Sequence, residues 1–221
     1  MKERPILFSA AMVRAILVDR KTQTRRVVRF RSCPNSDPSC HCPWLPTPID
    51  PKSQWQDGDE ILRNPYGRAG DRLWVRETFV IQHEVDADPP PFHDGRPIRR
   101  LEDEEVSAYW EQAHYRATDP TPELFCSKHD GPCCHWRPSI FMPRWASRLT
   151  LEIVKIRVER LQKITARDCL AEGIEDDGDP RIRHDICGEF QKLWDFINAK
   201  GGFGWAVNPW VWVIEFRKLD G

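Results

Sequence analysis

The sequence has almost no net charge, and this limits the partners that it can have. Its 221 residues include 33 Lys and Arg against 34 Asp and Glu, which gives a formal net charge of −1. A chain so balanced is neither a globally basic nucleic-acid-binding protein nor a protein with a polyacidic tail. Any surface that binds phosphate groups must therefore be a local basic patch.

Long apolar runs are also missing. A membrane-spanning helix needs about eighteen consecutive apolar residues, and no such run occurs. The charged N-terminus is not followed by the apolar stretch of a signal peptide. We therefore expect neither a signal peptide nor a membrane span, and we expect a cytoplasmic location. Thiols stay reduced there, so the eight cysteines are expected to be free thiols or metal ligands.

Tryptophan, proline and cysteine are over-represented, with ten, nineteen and eight residues. Tryptophan at this density is typical of a large core or of surfaces on which aromatic rings stack. Proline and cysteine gather in two stretches without a usable period, about residues 30–63 and 83–137. We predict that both are irregular insertions, except that residues 105–114 are predicted to be helical.

Helix signals lie outside these insertions. Ser9 can cap a short helix that ends near Asp19. Thr165 and Asp168 form a capping box for a second helix. A third, amphipathic helix is predicted over residues 182–197.

Strand signals are more frequent than helix signals. Strands are predicted over residues 71–80, 149–161 and 210–217, besides one that follows Thr22. The alternation changes phase at Val154, which favours a bulge or two consecutive short strands. We therefore predict an α+β fold, a small β-barrel with a few packed helices, as one discontinuous domain over residues 1–221.

The strongest concentration of charge is in residues 14–31, with seven Lys or Arg and one acid. Lys21 directly follows Arg20 and is close in sequence to Arg25 and Arg26. Neighbouring positive charge lowers the pKa of a lysine, and a lysine near neutrality can act as a base or a nucleophile. The same pattern also fits a solvated basic strand or a plain phosphate clamp.

A second patch, in residues 136–138 and 144–148, combines indole rings with guanidinium groups. Such pairs suit bases that stack and phosphates that bridge. The alternative is that Trp145 packs in the core while Arg144 and Arg148 pair with acids. The residues that we expect to bind substrate are Arg20, Arg25, Arg26, Arg76, Arg144, Trp145 and Arg148.

The two insertions also contain a set of metal-ligand side chains. They are Cys33, Cys40, Cys42, Cys126, Cys133, Cys134 and His135. A structural zinc ion that takes four of them would pin the insertions together, because such sites substitute for a missing core. No spacing is a standard C-x2-C pair, so free thiols are the alternative. Cys169 and Cys187 lie on apolar helix faces and are expected in the core.

Three segments resemble the ASCH domain family, and within it proteins encoded by bacteriophages and prophages. They are residues 5–29, which contain the string Arg-Lys-Thr-Gln-Thr-Arg-Arg, residues 64–80 and residues 138–219. The resemblance implies a PUA-like β-barrel. Both insertions lie outside it.

The resemblance also implies a function. PUA-like domains bind RNA or modified bases, some small ASCH members hydrolyse the acetyl amide of N4-acetylcytidine, and other members are ribonucleases. The lysine, threonine and glutamate of the hydrolases fall on Lys21, Thr24 and Glu172, with Glu175 as the alternative glutamate. These expectations involve no cofactor in catalysis and, if a phage encodes the chain, the cytoplasm of a bacterial host.

Two other functions fit the same residues. One is a non-catalytic phage accessory protein that binds nucleic acid or a host protein, with Lys21 as a clamp only. The other is a role in phage DNA modification, since a pocket that reads a base does not report which polymer carries it. The insertions can also cover or reshape such a pocket.

Overall fold

The computed structural model describes most of the chain. The described residues are 1–28, 47–50, 54–57, 60–85, 97–101, 109–120, 125–126, 131–132, 135–175 and 185–219.

Two short helices begin where the sequence predicts a cap. Helix α1 (Ala10–Leu17) follows Ser9, whose hydroxyl accepts a hydrogen bond from the Met12 N–H at 3.4 Å. Helix α2 (Ala166–Ala171) follows the predicted capping box, in which the Thr165 and Asp168 side chains each accept from the other residue's backbone N–H. Both predicted caps are confirmed. A cap can be predicted from a short stretch of sequence because it satisfies only the first N–H groups of its own helix.

Helix α3 (Ile186–Asn198) confirms the predicted amphipathic helix from Ile186 onwards, but it begins later than the predicted start at residue 182, because Asp185 is its N-cap; residues 182–184 lie outside the described residues. The Asp185 side chain caps it by accepting from the Gly188 N–H at 2.9 Å. Phe190 and Trp194, four residues apart, are the buried side chains of its apolar face.

The described strands are β1 (Glu3–Leu7), β2 (Gln23–Val27), β3 (Thr47–Asp50), β4 (Gln54–Asp57), β5 (Glu60–Arg63), β6 (Arg72–Arg76), β7 (Phe79–Val85), β8 (Ile98–Leu101), β9 (Tyr109–Tyr115), β10 (Phe125–Cys126), β11 (Gly131–Pro132), β12 (Thr150–Arg160) and β13 (Trp210–Leu219). Strand β12 runs through Val154 without a break, so the alternative of two separate short strands is wrong.

Five strands form the main sheet, in the order β1-β6-β12-β13-β2. Strands β1 and β6 are parallel, because the Arg72 N–H donates to the Lys2 carbonyl and the Phe8 N–H donates to the Arg76 carbonyl. Strands β13 and β2 are antiparallel. The described residues thus confirm an α+β fold with a mixed sheet.

The main sheet is open among the described residues, since its order begins at β1 and ends at β2. The closed small barrel that the sequence predicted is therefore wrong for these strands. The alternation of apolar and polar residues indicates where strands lie. Whether a sheet closes into a barrel depends on the tilt and stagger of its strands, which the sequence of a single strand does not determine.

Both insertions contain strands, which corrects the prediction that they are irregular. Strands β3, β4 and β5 form a three-stranded antiparallel sheet, and β7, β9 and β8 form another. The helix predicted over residues 105–114 is also wrong where it is described, because β9 occupies residues 109–115 and pairs with β7 along seven residues. Long-range pairing overrides a weak local pattern here.

The chain divides into two compact units. Unit 1 comprises residues 1–2, 19–72 and 152–217, and unit 2 comprises residues 3–18, 73–151 and 218–221. The core of unit 1 contains Leu161, Ile164, Cys169, Phe190, Trp194, Val211 and Val213. That of unit 2 contains Phe79, Ala113, Tyr115, Met142 and Ala146.

Tryptophan divides between these environments and partly exposed positions. Trp74, Trp194 and Trp212 are buried, which fits the prediction of core tryptophans. No helix in the described segments has the length and apolar character needed to cross a membrane.

Candidate functional site

The candidate site lies in unit 1, where the start of β2 meets the end of α2. The Thr22 N–H donates to the Ala171 carbonyl at 2.9 Å, which fixes the two segments side by side. Lys21 precedes this contact on one segment, and Glu172, the C-cap residue of α2, follows it on the other. Residues 151 positions apart in the sequence thereby become neighbours.

Lys21 and Glu172 form a buried ion pair. The Lys21 Nζ lies 2.7 Å from the Glu172 Oε2, and the two side chains are 0% and 5% exposed. The same Nζ also donates to the Glu172 main-chain carbonyl at 2.7 Å. The predicted lysine and glutamate are thus within hydrogen-bonding reach, whereas Glu175 pairs with Arg20 at the surface.

The pKa of Lys21 is below its ordinary value. Burial is the largest cause, because an ammonium loses its hydration; the positive charges of Arg26 and Arg25 act in the same direction. Glu172 opposes this shift through its charge and its hydrogen bond. The arginines act as the sequence predicts, but burial, which lowers the pKa more than they do, is not visible in the sequence.

Arg25 is the centre of the surrounding network. Its Nη1 donates to the Gln23 Oε1 at 2.6 Å and to the Glu172 Oε1 at 3.2 Å. Its Nη2 donates to the Glu159 Oε1 at 2.8 Å and lies 3.5 Å from the Asp168 Oδ2. The side chain is completely buried, so the structure gives Arg25 carboxylate partners instead of the phosphate contact expected from the sequence.

A second arginine, Arg157 on β12, links the outer carboxylates of this network. It pairs with Glu159 at 3.1 Å, with Asp168 at 3.3 Å, and with Glu215. Partial burial acts to lower the pKa of Arg157, but the three carboxylates outweigh it and the pKa is raised. Arg157, Glu159 and Glu215 were not predicted as site residues; the two charged residues at positions 157 and 159, which share one face of a strand, are the signal that could have pointed to the first two.

A cavity of about 470 Å³ adjoins the network. It is lined by Thr22, Gln23, Val154, Arg167, Asp168, Ala171, Glu215 and Phe216. Lys21 and Glu172 do not line it, but their sequence neighbours Thr22 and Ala171 do.

Thr24, the third predicted catalytic residue, is buried on β2 opposite Ile214 of β13. In the part of the chain that the structure describes, its hydroxyl makes no hydrogen bond to Lys21 or Glu172. Arg26 is close enough to Glu172 for charge interaction. Burial is the main cause of the lowered pKa of Arg26, and Tyr66 and Glu172 oppose it.

The other predicted substrate-binding residues belong to unit 2. Arg148 forms a two-pronged pair with Glu77, at 2.9 and 3.0 Å. Its guanidinium carbon also lies 4.0 Å from the centre of the Tyr115 ring. Trp145 is half-buried against the core of unit 2, and Arg99 lies over its ring at 5.1 Å. Both observations agree with the alternative of packing and ion pairing.

The proposed zinc ligands lie almost entirely outside the described residues. Cys33, Cys40, Cys42, Cys133 and Cys134 lie outside the described residues, and so does the side chain of Cys126. His135 is exposed. Among the described segments there is no group of three or more side chains able to hold a metal ion, so zinc stays a prediction.

Cys169 and Cys187 meet between α2 and α3. Their sulfur atoms are 3.5 Å apart, and Cys169 is completely buried. Burial, together with the neighbouring Cys187, raises the pKa of the Cys169 thiol to about 12. Cys169 is thus a core thiol that stays protonated, and the core placement expected from the sequence fits it.

Comparison with known proteins adds no relative. No protein-family model, curated protein or solved structure matches the chain. The ASCH resemblance therefore stays a prediction from the sequence.

Proposed function

We propose that the chain is an ASCH-like member of the PUA-like class that binds RNA or a modified nucleobase and hydrolyses an amide on that base. N4-acetylcytidine is the substrate that the resemblance favours. One observation carries the proposal: a buried lysine of lowered pKa is hydrogen-bonded at 2.7 Å to a buried glutamate. Perturbed ionisable pairs of this kind concentrate at catalytic sites.

In the proposed reaction, Lys21 in its neutral form takes a proton from water. The resulting hydroxide adds to the acetyl carbon, and the carbonyl oxygen becomes an oxyanion; the resemblance assigns the stabilising hydrogen bond to the Thr24 hydroxyl. Glu172 passes the proton from Lys21 to the N4 nitrogen as the C–N bond breaks. The products are acetate and cytidine, so one water is consumed for each amide.

Arg25 is a positioning residue in this scheme. It binds the Glu172 Oε1 and leaves the Oε2 to Lys21. Its other partners, Gln23 and Glu159, fix the guanidinium in turn. The cavity bounded by Thr22 and Ala171 is the entrance that we propose for the base, because both residues adjoin the ion pair.

A non-catalytic role is the second candidate, and one contact favours it. The Lys21 Nζ donates to the main-chain carbonyl of Glu172 as well as to its carboxylate. A lysine that binds the last carbonyls of a helix stabilises the helix end. In that case the pair is structural, and the protein binds nucleic acid or a host protein without turnover.

Turnover by Lys21 variants separates the two candidates. We expect Lys21→Arg to fold, because arginine keeps a charge near Glu172, but to release no acetate, because arginine cannot be deprotonated in a protein. Lys192→Met is the matched control: Lys192 is an exposed lysine of α3 paired with Glu189, so its loss should leave turnover unchanged. The measurement is acetate release from N4-acetylcytidine, beside binding of labelled single-stranded RNA. Wild-type activity in Lys21→Arg, or RNA binding by the wild-type protein without any turnover, would contradict the hydrolase.

A further inference from the structure

Two arginines of unit 2 converge on one tryptophan. The guanidinium carbon of Arg76 lies 4.7 Å from the centre of the Trp74 ring, and that of Arg144 lies 5.9 Å from it. Trp74 is only 8% exposed. The indole is therefore a fixed platform that holds two positive groups, since guanidinium groups are attracted to the face of an aromatic ring.

Within the described part of the chain, Arg76 differs from Arg144 and Arg148 because it has no carboxylate as an ion-pair partner. Arg144 pairs with Glu3 at 3.0 Å and Arg148 pairs with Glu77 at 2.9 Å. No carboxylate of the described residues forms an ion pair with Arg76, and its buried Nε has no hydrogen-bond partner. A half-buried cation without an anion is costly, and an unsatisfied buried donor requires an explanation.

We infer that Arg76 and Arg144, stacked on Trp74, bind a phosphodiester group of a single-stranded nucleic acid. The guanidinium fork matches a phosphate group in shape and charge. The Arg144–Glu3 pair does not prevent this, because both side chains are more than a third exposed and such pairs are weak.

The surroundings favour a polyanion over a single free phosphate. Trp145 follows Arg144 directly in the sequence, and Arg99, 45% exposed, stacks on its ring. Unit 2 thus presents successive guanidinium–indole contacts, and a nucleic-acid backbone supplies successive phosphates. The inference shares its partner class with the proposed function but goes beyond it, since it needs no chemistry at Lys21.

The test measures binding of a fluorescein-labelled twelve-nucleotide RNA by anisotropy at several salt concentrations. Arg76→Gln should bind about tenfold more weakly, because a charge-assisted contact is lost. The slope of log K against log salt should become shallower by about 0.7, the value for one phosphate of a single strand. The affinity of Arg76→Lys for the RNA should lie between those of the wild-type protein and Arg76→Gln, because lysine keeps the positive charge but lacks the two-pronged geometry of a guanidinium group.

Arg217→Gln is the control. It removes the same charge from an exposed side chain of unit 1 that pairs with Glu152. An Arg76→Gln protein that folds normally but binds RNA no more weakly than Arg217→Gln overturns the inference. So does a wild-type protein that binds no RNA at all, and in that case hydrolysis of free N4-acetylcytidine still tests Lys21 separately.

Discussion

Replacing Glu172 by alanine should lower the free energy of unfolding by about 3–5 kcal/mol, the cost of removing one partner from a buried ion pair. The carboxylate binds the buried Lys21 through one oxygen and the buried Arg25 through the other. Neither cation can reach water without local opening. In a chain of this size, such a loss should lower the melting temperature by roughly 10 °C in a thermal denaturation experiment.

Glu175→Ala is the matched control for this change. Glu175 is also paired with an arginine, Arg20, but its side chain is 75% exposed. Exposed pairs contribute about 1 kcal/mol or less, so its loss should hardly change the melting temperature. Equal effects of the two substitutions would show that Glu172 is not the buried partner of Lys21.

The loss in Glu172→Ala should also depend on pH. Glu172 opposes the lowering of the Lys21 pKa, so the pKa falls further once it is removed. The folded variant then releases its proton at lower pH than the unfolded chain, and stability rises with pH wherever the unfolded state binds more protons. The deficit relative to wild type should therefore shrink from neutral pH towards 10.5, the ordinary lysine value. A deficit that grows over this range would contradict the pairing.

Arg25→Met is the second substitution with a large expected effect. It should lower the free energy of unfolding by about 3–5 kcal/mol. Methionine fills part of the space but leaves three carboxylates, Glu159, Asp168 and Glu172, without their shared cation. Chemical denaturation with urea measures this loss. Arg217→Met, an exposed arginine, should cost less than about 1 kcal/mol.

RNA binding distinguishes this role of Arg25 from the phosphate contact expected from the sequence. A completely buried guanidinium cannot release counterions from a phosphate backbone, so the salt slope of RNA binding should be unchanged in folded Arg25→Met. If Arg25→Met has normal stability and its RNA binding shows a shallower salt slope, Arg25 contacts phosphate and the buried role is wrong.

Local signals predicted local structure well. The caps at Ser9 and Thr165 place α1 and α2, because a cap depends on residues within three positions of each other. The apolar periodicity of residues 182–197 predicts α3 for the same reason, though not its start at Ile186. The open sheet and β9 were not predicted, since both depend on partners far away in the sequence.

The candidate site was predicted in part. The charge pattern and the resemblance both pointed to Lys21, the resemblance pointed to Glu172, and the structure brings the two side chains together. The burial of Arg25 was not predictable, because the composition of residues 14–31 is that of an exposed basic strand. Arg25 is turned inward only because α2 packs near β2 and β12 lies beyond β13 in the same sheet, so that Glu159, Asp168 and Glu172 can neutralise its charge.

The pH dependence of acetate release from N4-acetylcytidine tests the central claim most directly. If Lys21 acts as the base, kcat/KM should rise with pH through an ionisation below the ordinary lysine value of 10.5, since only the neutral amine accepts a proton. The rise should be absent, together with turnover, in Lys21→Arg. No acetate release by the wild-type protein at any pH, or the same pH profile in Lys21→Arg, would contradict the account.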